Sequence, residues 1–128
     1  MANSHLSNIN FAGISGTGGP MKNRWVSVIQ IDSTGGIDPV ATGTLVHIHS
    51  IRASLVFAAI TDVFAVVRLR LTDAAGNLIW GGGTGNGQDL DVQANGFSVD
   101  WVSEIGTNPV AEVTVIYDHL EGAAPTAV

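Results

Sequence analysis

The sequence predicts an all-β chain: an antiparallel β-sandwich, wound as a single jelly roll, with an extended N-terminal arm. Three observations lead there. Apolar runs rich in Val, Ile, Phe, Thr and Tyr alternate with a period of two. Gly, Asn, Asp and Pro interrupt them at short intervals. No run carries a helix cap or a helical polar face, and about seven or eight short strands with frequent turns are the pattern of a sandwich.

Taken in order, residues 1–23 are rich in Ser, Asn and Gly, with Ile9, Phe11 and Ile14 isolated among them. Such a segment has no core of its own and reads as a flexible or partner-ordered arm. The sandwich domain is expected over residues 24–119. It opens with RWVSVIQI, in which Trp25, Ser27, Ile29 and Ile31 share one face. DSTGGIDP, residues 32–39, reads as a loop by its Gly pair and Asp-Pro step. Strands are expected near 44–51, 54–60 and 64–73; helix competes over 52–67, but β-branched and aromatic residues favour strand there. Thr72-Asp73-Ala74-Ala75-Gly76-Asn77 is a hairpin turn in which Gly76 supplies the positive φ. GGGTGNG, residues 81–87, reads as a mobile connection. Short strands follow near 89–92, 96–102 and 111–119, and residues 120–128 read as a flexible tail.

Composition narrows the function classes. The chain has 128 residues, enough for one domain with a real core. Its apolar share is 45%, its charged share 12% and its mean hydropathy +0.32, so apolar surface remains to be covered by partner subunits. A formal net charge of −6 with scattered basic residues argues against nucleic-acid binding. With no Cys there is no disulfide frame, zinc-thiolate site or cysteine nucleophile. The N-terminus lacks the features of a secretory signal, and Ala2 excludes myristoylation. Arg52, Asp62, Arg68 and Arg70 interrupt the greasiest window, so a soluble protein with no membrane span is expected.

Candidate chemistry is sparse. His47 and His49 lie two apart on an expected strand, so both imidazoles face one side and could reach one metal ion. Cupin-type metal sites add a carboxylate a few residues on, but Ser50-Ile51-Arg52-Ala53-Ser54 offers none, and His119 is the distant candidate. The expectation is a pair of interior or interface histidines, with no metal and no cofactor; a second use would be ion binding near the axis of a symmetric oligomer. Asp89, Asp91 and Asp100 could offer oxygens to calcium, but their spacing fits solvated edge charges better. Gly-x-Ser-x-Gly is absent, and no acidic pair is singled out by spacing, so a non-enzyme is expected. Trp25, Trp80, Trp101 and Tyr117 could form a sugar-stacking platform, which makes a carbohydrate-binding, lectin-like or receptor-binding module the alternative.

VVRLRLTDAAGNLIWGGGTGNGQDLDV, followed by SEIGTNPVAEVTVIY, resembles small phage virion proteins of the capsid decoration (cement) type. The likeness spans about residues 40–118 and lies in patterns of strand and turn, which equally fit another β-rich virion component such as a head fibre or tail-tip domain. It implies a non-enzymatic jelly roll, a homo-oligomer of the trimeric kind, bound to the major capsid protein on the outer surface of a phage head after synthesis in the host cytoplasm. On that reading Ile9, Phe11 and Ile14 make the capsid or subunit contacts.

Overall fold

The computed structural model describes residues 3–10, 24–57 and 65–128. They form seven antiparallel strands: β1 (Ser4–Asn10), β2 (Arg24–Ile31), β3 (Ile37–Phe57), β4 (Val66–Thr72), β5 (Leu78–Gly83), β6 (Asn86–Ile105) and β7 (Val110–Gly122). They pair in the order β1-β2-β7-β3-β6-β4-β5. No helix among the described residues is long and apolar enough to cross a membrane.

Two long strands organise the molecule. The sequence predicts separate strands near 44–51 and 54–60, and near 89–92 and 96–102; in the structure β3 and β6 each run through those breaks, and residues 58–60 lie outside the described residues. The N-terminal part of β3 pairs with the C-terminal half of β6, through Ile37↔Val99 and Val40↔Phe97. Beyond Leu45, β3 pairs instead with the N-terminal half of β6 and with β7. The register slips between Val40 and Leu45, and Gly43 (φ 93°) and Gly96 (φ 72°) lie at this corner with positive φ. Only a residue free of Cβ fits at Gly96, where a Cβ would stand 2.7 Å from the carbonyl oxygens of Val40 and Ala41.

Counting the halves of β3 and β6 separately, β2 to β7 supply eight segments in two groups. One is β2-β7-β3-β6, with β1 added at its edge; the other is β3-β6-β4-β5. This is jelly-roll pairing in an all-β, sandwich-like fold.

Burial follows the period of two. Trp25, Ser27, Ile29 and Ile31 of β2 point inward, as do Val113, Val115 and Tyr117 of β7 and Val67, Leu69 and Leu71 of β4. The apolar residues among these share one core cluster although β2 and β4 lie far apart in the strand order, so the sheet curls over itself. At its centre the fully buried Tyr117 meets Phe97 edge-on at 5.2 Å and stacks with Trp25 at 6.5 Å.

The turns hold both agreements and corrections. Asp73 accepts hydrogen bonds from the backbone N–H groups of Ala75 and Asn77, both at 2.9 Å, and Gly76 has φ 89°, as the hairpin reading required. The expected loop at 81–87 is ordered differently. Gly81–Gly83 complete β5, Thr84-Gly85 turn, and Asn86 opens β6. That turn is stitched to β4 and to β3, with Thr84 N–H donating to Val67 O (2.9 Å) and Gly85 N–H to Ala53 O (2.8 Å). Residues 37–39, read as loop, already belong to β3.

Both ends of the chain meet. Residues 4–10 of the expected arm are extended and add to β2 as the edge strand β1. β7 runs to Gly122, past the expected boundary at 119. Beyond it, Asn8 and Val128 exchange two backbone hydrogen bonds of 3.2–3.3 Å, and Asn8 Nδ2 donates to Thr126 O at 2.9 Å. Tyr117 Oη donates to Asn8 Oδ1 at 2.9 Å, which satisfies a fully buried amide.

Candidate functional site

Among the described residues, two places on the outside of the sheet gather chemistry. The first is a row across three neighbouring strands. Register sets Arg24 of β2 opposite Asp118 of β7, and Asp118 opposite His47 of β3. All three point away from the core, because the buried partners on these strands are Trp25, Tyr117 and Val46 with Ile48.

His49 joins the row through a bulge. Between Ile48 and Ser50, β3 advances two residues while β7 advances one, from Tyr117 to Ile116. The extra residue bends the strand and re-aims a side chain. His49 Nε2 thereby lies 2.7 Å from Asp118 Oδ2, and its ring packs edge-on against His47 with centroids 4.5 Å apart. One ligand atom from each of His47, His49 and Asp118 lies within 4.8 Å of the others. The three side chains are 24–30% exposed, so they sit at the surface without being immersed in solvent.

Charged neighbours frame this trio. Arg24 Nε donates to Asp118 Oδ1 at 2.9 Å, while Arg24 Nη2 is 3.4 Å from Oδ2 and 3.0 Å from His49 Nε2. Burial pushes the Asp118 carboxyl up, but the hydrogen bonds from Arg24 and His49 outweigh it and hold it below its ordinary value. The hydrogen bond to Asp118 in turn raises Arg24. From the other side, the exposed Asp91 of β6 meets His47 Nε2 at 2.5 Å.

The second place is an open groove of about 630 Å³ on the outer face of β4 and β5. Its floor is low because Gly81, Gly82 and Gly83 carry no side chains. Arg68 and Arg70 of β4 stand over it, with Leu78 and Val102 at its walls. Arg70 pairs with Asp100 at 3.3 Å. Leu78 is 67% exposed and Val102 48%, large values for aliphatic side chains.

The residues singled out from sequence are distributed unevenly. His47 and His49 do share a face, and Asp118, which no sequence motif singles out, supplies the carboxylate that the following residues lack. Its only sequence signal is the alternation of β7, which puts it opposite Tyr117; its neighbours depend on register. His119 lies outside the trio and contacts Gly122 O. Asp89 and Asp91 are highly exposed and face Arg52 and His47, whereas Asp100 is held by Arg70, so the three do not converge. Trp25, Trp80 and Tyr117 are buried, leaving Trp101 as the partly exposed member of the supposed sugar platform. Ile9 is 48% exposed on β1, while Phe11 and Ile14 lie outside the described residues.

Comparison with protein-family models, with curated proteins and with solved structures finds no match for this chain.

Proposed function

We propose that the protein is a non-enzymatic virion component of the capsid decoration type, which binds the outer shell of a phage head as a homo-oligomer and stabilises it. The observation that carries this reading is the exposure of large aliphatic side chains toward both ends of the strand order. Leu6 (47%) and Ile9 (48%) are exposed on β1 at one end. Leu78 and Val102 are exposed beside the groove at the other. A protein that must hold both its own copies and a shell needs two separable contact surfaces, and exposed aliphatic side chains in two places supply apolar area for them. An acidic chain also suits an outer face that should not adhere to packaged DNA.

Light scattering and sedimentation of untagged protein with undecorated phage heads test the proposal. The expected result is a trimer that binds heads saturably, with attachment weakened when Ile9, Phe11 and Ile14 are replaced by Ser. A monomer that ignores capsids overturns it.

The groove favours one second reading, a carbohydrate-binding module. Arg68, Arg70, Thr84 and Asn86 offer polar contacts at a concave surface that a short glycan could occupy. Binding on a glycan array, lost in Arg68→Ala, would establish that reading in place of the first.

A further inference from the structure

We infer that His47, His49 and Asp118 form a binding site for one divalent transition-metal ion of the zinc class, clamping β3 to β7 on the outer face of the sheet. This goes beyond the proposed attachment to a shell and does not depend on it.

The donor set is the first ground. Two imidazoles and one carboxylate suit Zn²⁺, Ni²⁺ or Co²⁺, which prefer nitrogen donors, over the oxygen-seeking Ca²⁺ and Mg²⁺. Their ligating atoms already lie within 4.8 Å of one another. Ligands about 2.0–2.2 Å from a zinc ion stand a little over 3 Å apart, so modest rotamer changes suffice.

Support for the ligands is the second ground. The histidines stand on β3, which is paired on both sides, and Asp118 on β7, which is paired on both sides too. Such strands hold side chains more firmly than loops do. Arg24 grips Asp118 Oδ1 at 2.9 Å and thereby turns Oδ2 toward the imidazoles, the role a supporting hydrogen bond plays behind a metal-bound carboxylate.

A mismatch at His49 is the third. Its Nε2 lies 2.7 Å from a carboxylate oxygen and 3.0 Å from the Arg24 guanidinium. If Nε2 carries a proton it can donate to Asp118 but then faces an N–H of Arg24 donor to donor. If Nε2 is bare it can accept from Arg24 but then faces the carboxylate lone pair to lone pair. Neither tautomer satisfies both contacts. A cation between Nε2 and Oδ2 uses both lone pairs at once; Arg24 Nη2, which contacts these two atoms at 3.0 and 3.4 Å, gives way to it while Arg24 Nε stays on Oδ1. Asp91, already beside His47, is placed to complete the shell or to hold a metal-bound water.

The test uses the full, untagged chain after chelator treatment and dialysis. Titration with Zn²⁺ by calorimetry should give saturable binding of a single ion per chain and a rise in melting temperature. Co²⁺ should produce a visible d–d band that Zn²⁺ displaces. His49→Ala and His47→Asn should each weaken Zn²⁺ binding by about tenfold or more, with far-UV circular dichroism unchanged. His119→Asn, outside the trio, should bind as the parent does. Absence of saturable binding, or affinity kept within about twofold in both folded His47 and His49 variants, overturns the assignment.

Discussion

At the scale of single residues, the interior is organised around Tyr117 and its phenolic oxygen. Burial pushes this phenol up to about 12 despite the hydrogen bond to Asn8, so it is a neutral donor at any ordinary pH. Tyr117→Phe keeps the ring against Phe97 and Trp25 but leaves Asn8 Oδ1 without its donor. The expected loss is about 1–2 kcal/mol in urea unfolding, with an unchanged denaturant slope. His5 offers a pH-dependent counterpart at the sheet edge. Its Nε2 lies 2.6 Å from the buried Ser27 hydroxyl, and burial, set against a weaker opposing hydrogen bond at Ser7, holds its pKa below the ordinary 6.5. A histidine depressed in the fold is protonated first in the unfolded chain, so its contribution is complete above pH 6.5 and declines as pH falls below it. Protection factors of the β1 amides, with the intrinsic exchange rate at each pH divided out, should therefore fall below that pH, and His5→Gln should flatten the dependence.

At the scale of elements, the corner at Gly43 and Gly96 decides the architecture, since it lets β3 and β6 serve both groups of strands in the one sheet. Gly96→Ala brings together a left-handed backbone and a methyl group 2.7 Å from two carbonyl oxygens. A cost of about 1–3 kcal/mol is expected. Gly76 provides the contrast: its φ is also positive at 89°, but nothing stands within 4 Å of an added Cβ. Gly76→Asn should be tolerated far better, and thermal melts of the two variants compare them directly. The bulge at His49 belongs to the same scale. It turns an alternating strand into one whose two histidines and a neighbouring strand's aspartate converge.

At the scale of the whole molecule, the surfaces matter more than any cleft. The edge strand β1 is partly covered by the returning C-terminal residues, whose backbone pairs with Asn8, so that edge is closed to uncontrolled pairing at this point. The opposite end remains exposed at Leu78 and Val102. A double variant, Leu78→Lys with Val102→Lys, should leave monomer stability within about 0.5 kcal/mol, since neither side chain is in the core. It should reduce self-association or capsid binding measured by light scattering. Unaltered assembly would move the contact surface to the β1 end.

Read along the chain, the period of two in RWVSVIQI, VVRLRLT and VAEVTVIY determined which residues face inward, because a pleated strand leaves no other choice. The hairpin at Asp73–Asn77 was equally local, resting on one Asx side chain and one glycine. What lay beyond local reasoning was continuity and register. Gly43 and Gly96 look like strand breaks in sequence, yet each sits with positive φ at a bend through which the strand continues, and at Gly96 the carbonyls of Val40 and Ala41 also occupy the space a Cβ would need. The same limit hid Asp118. It is 69 residues from His49, and only antiparallel pairing of β3 with β7, displaced by one bulged residue, brings that carboxylate to the two imidazoles.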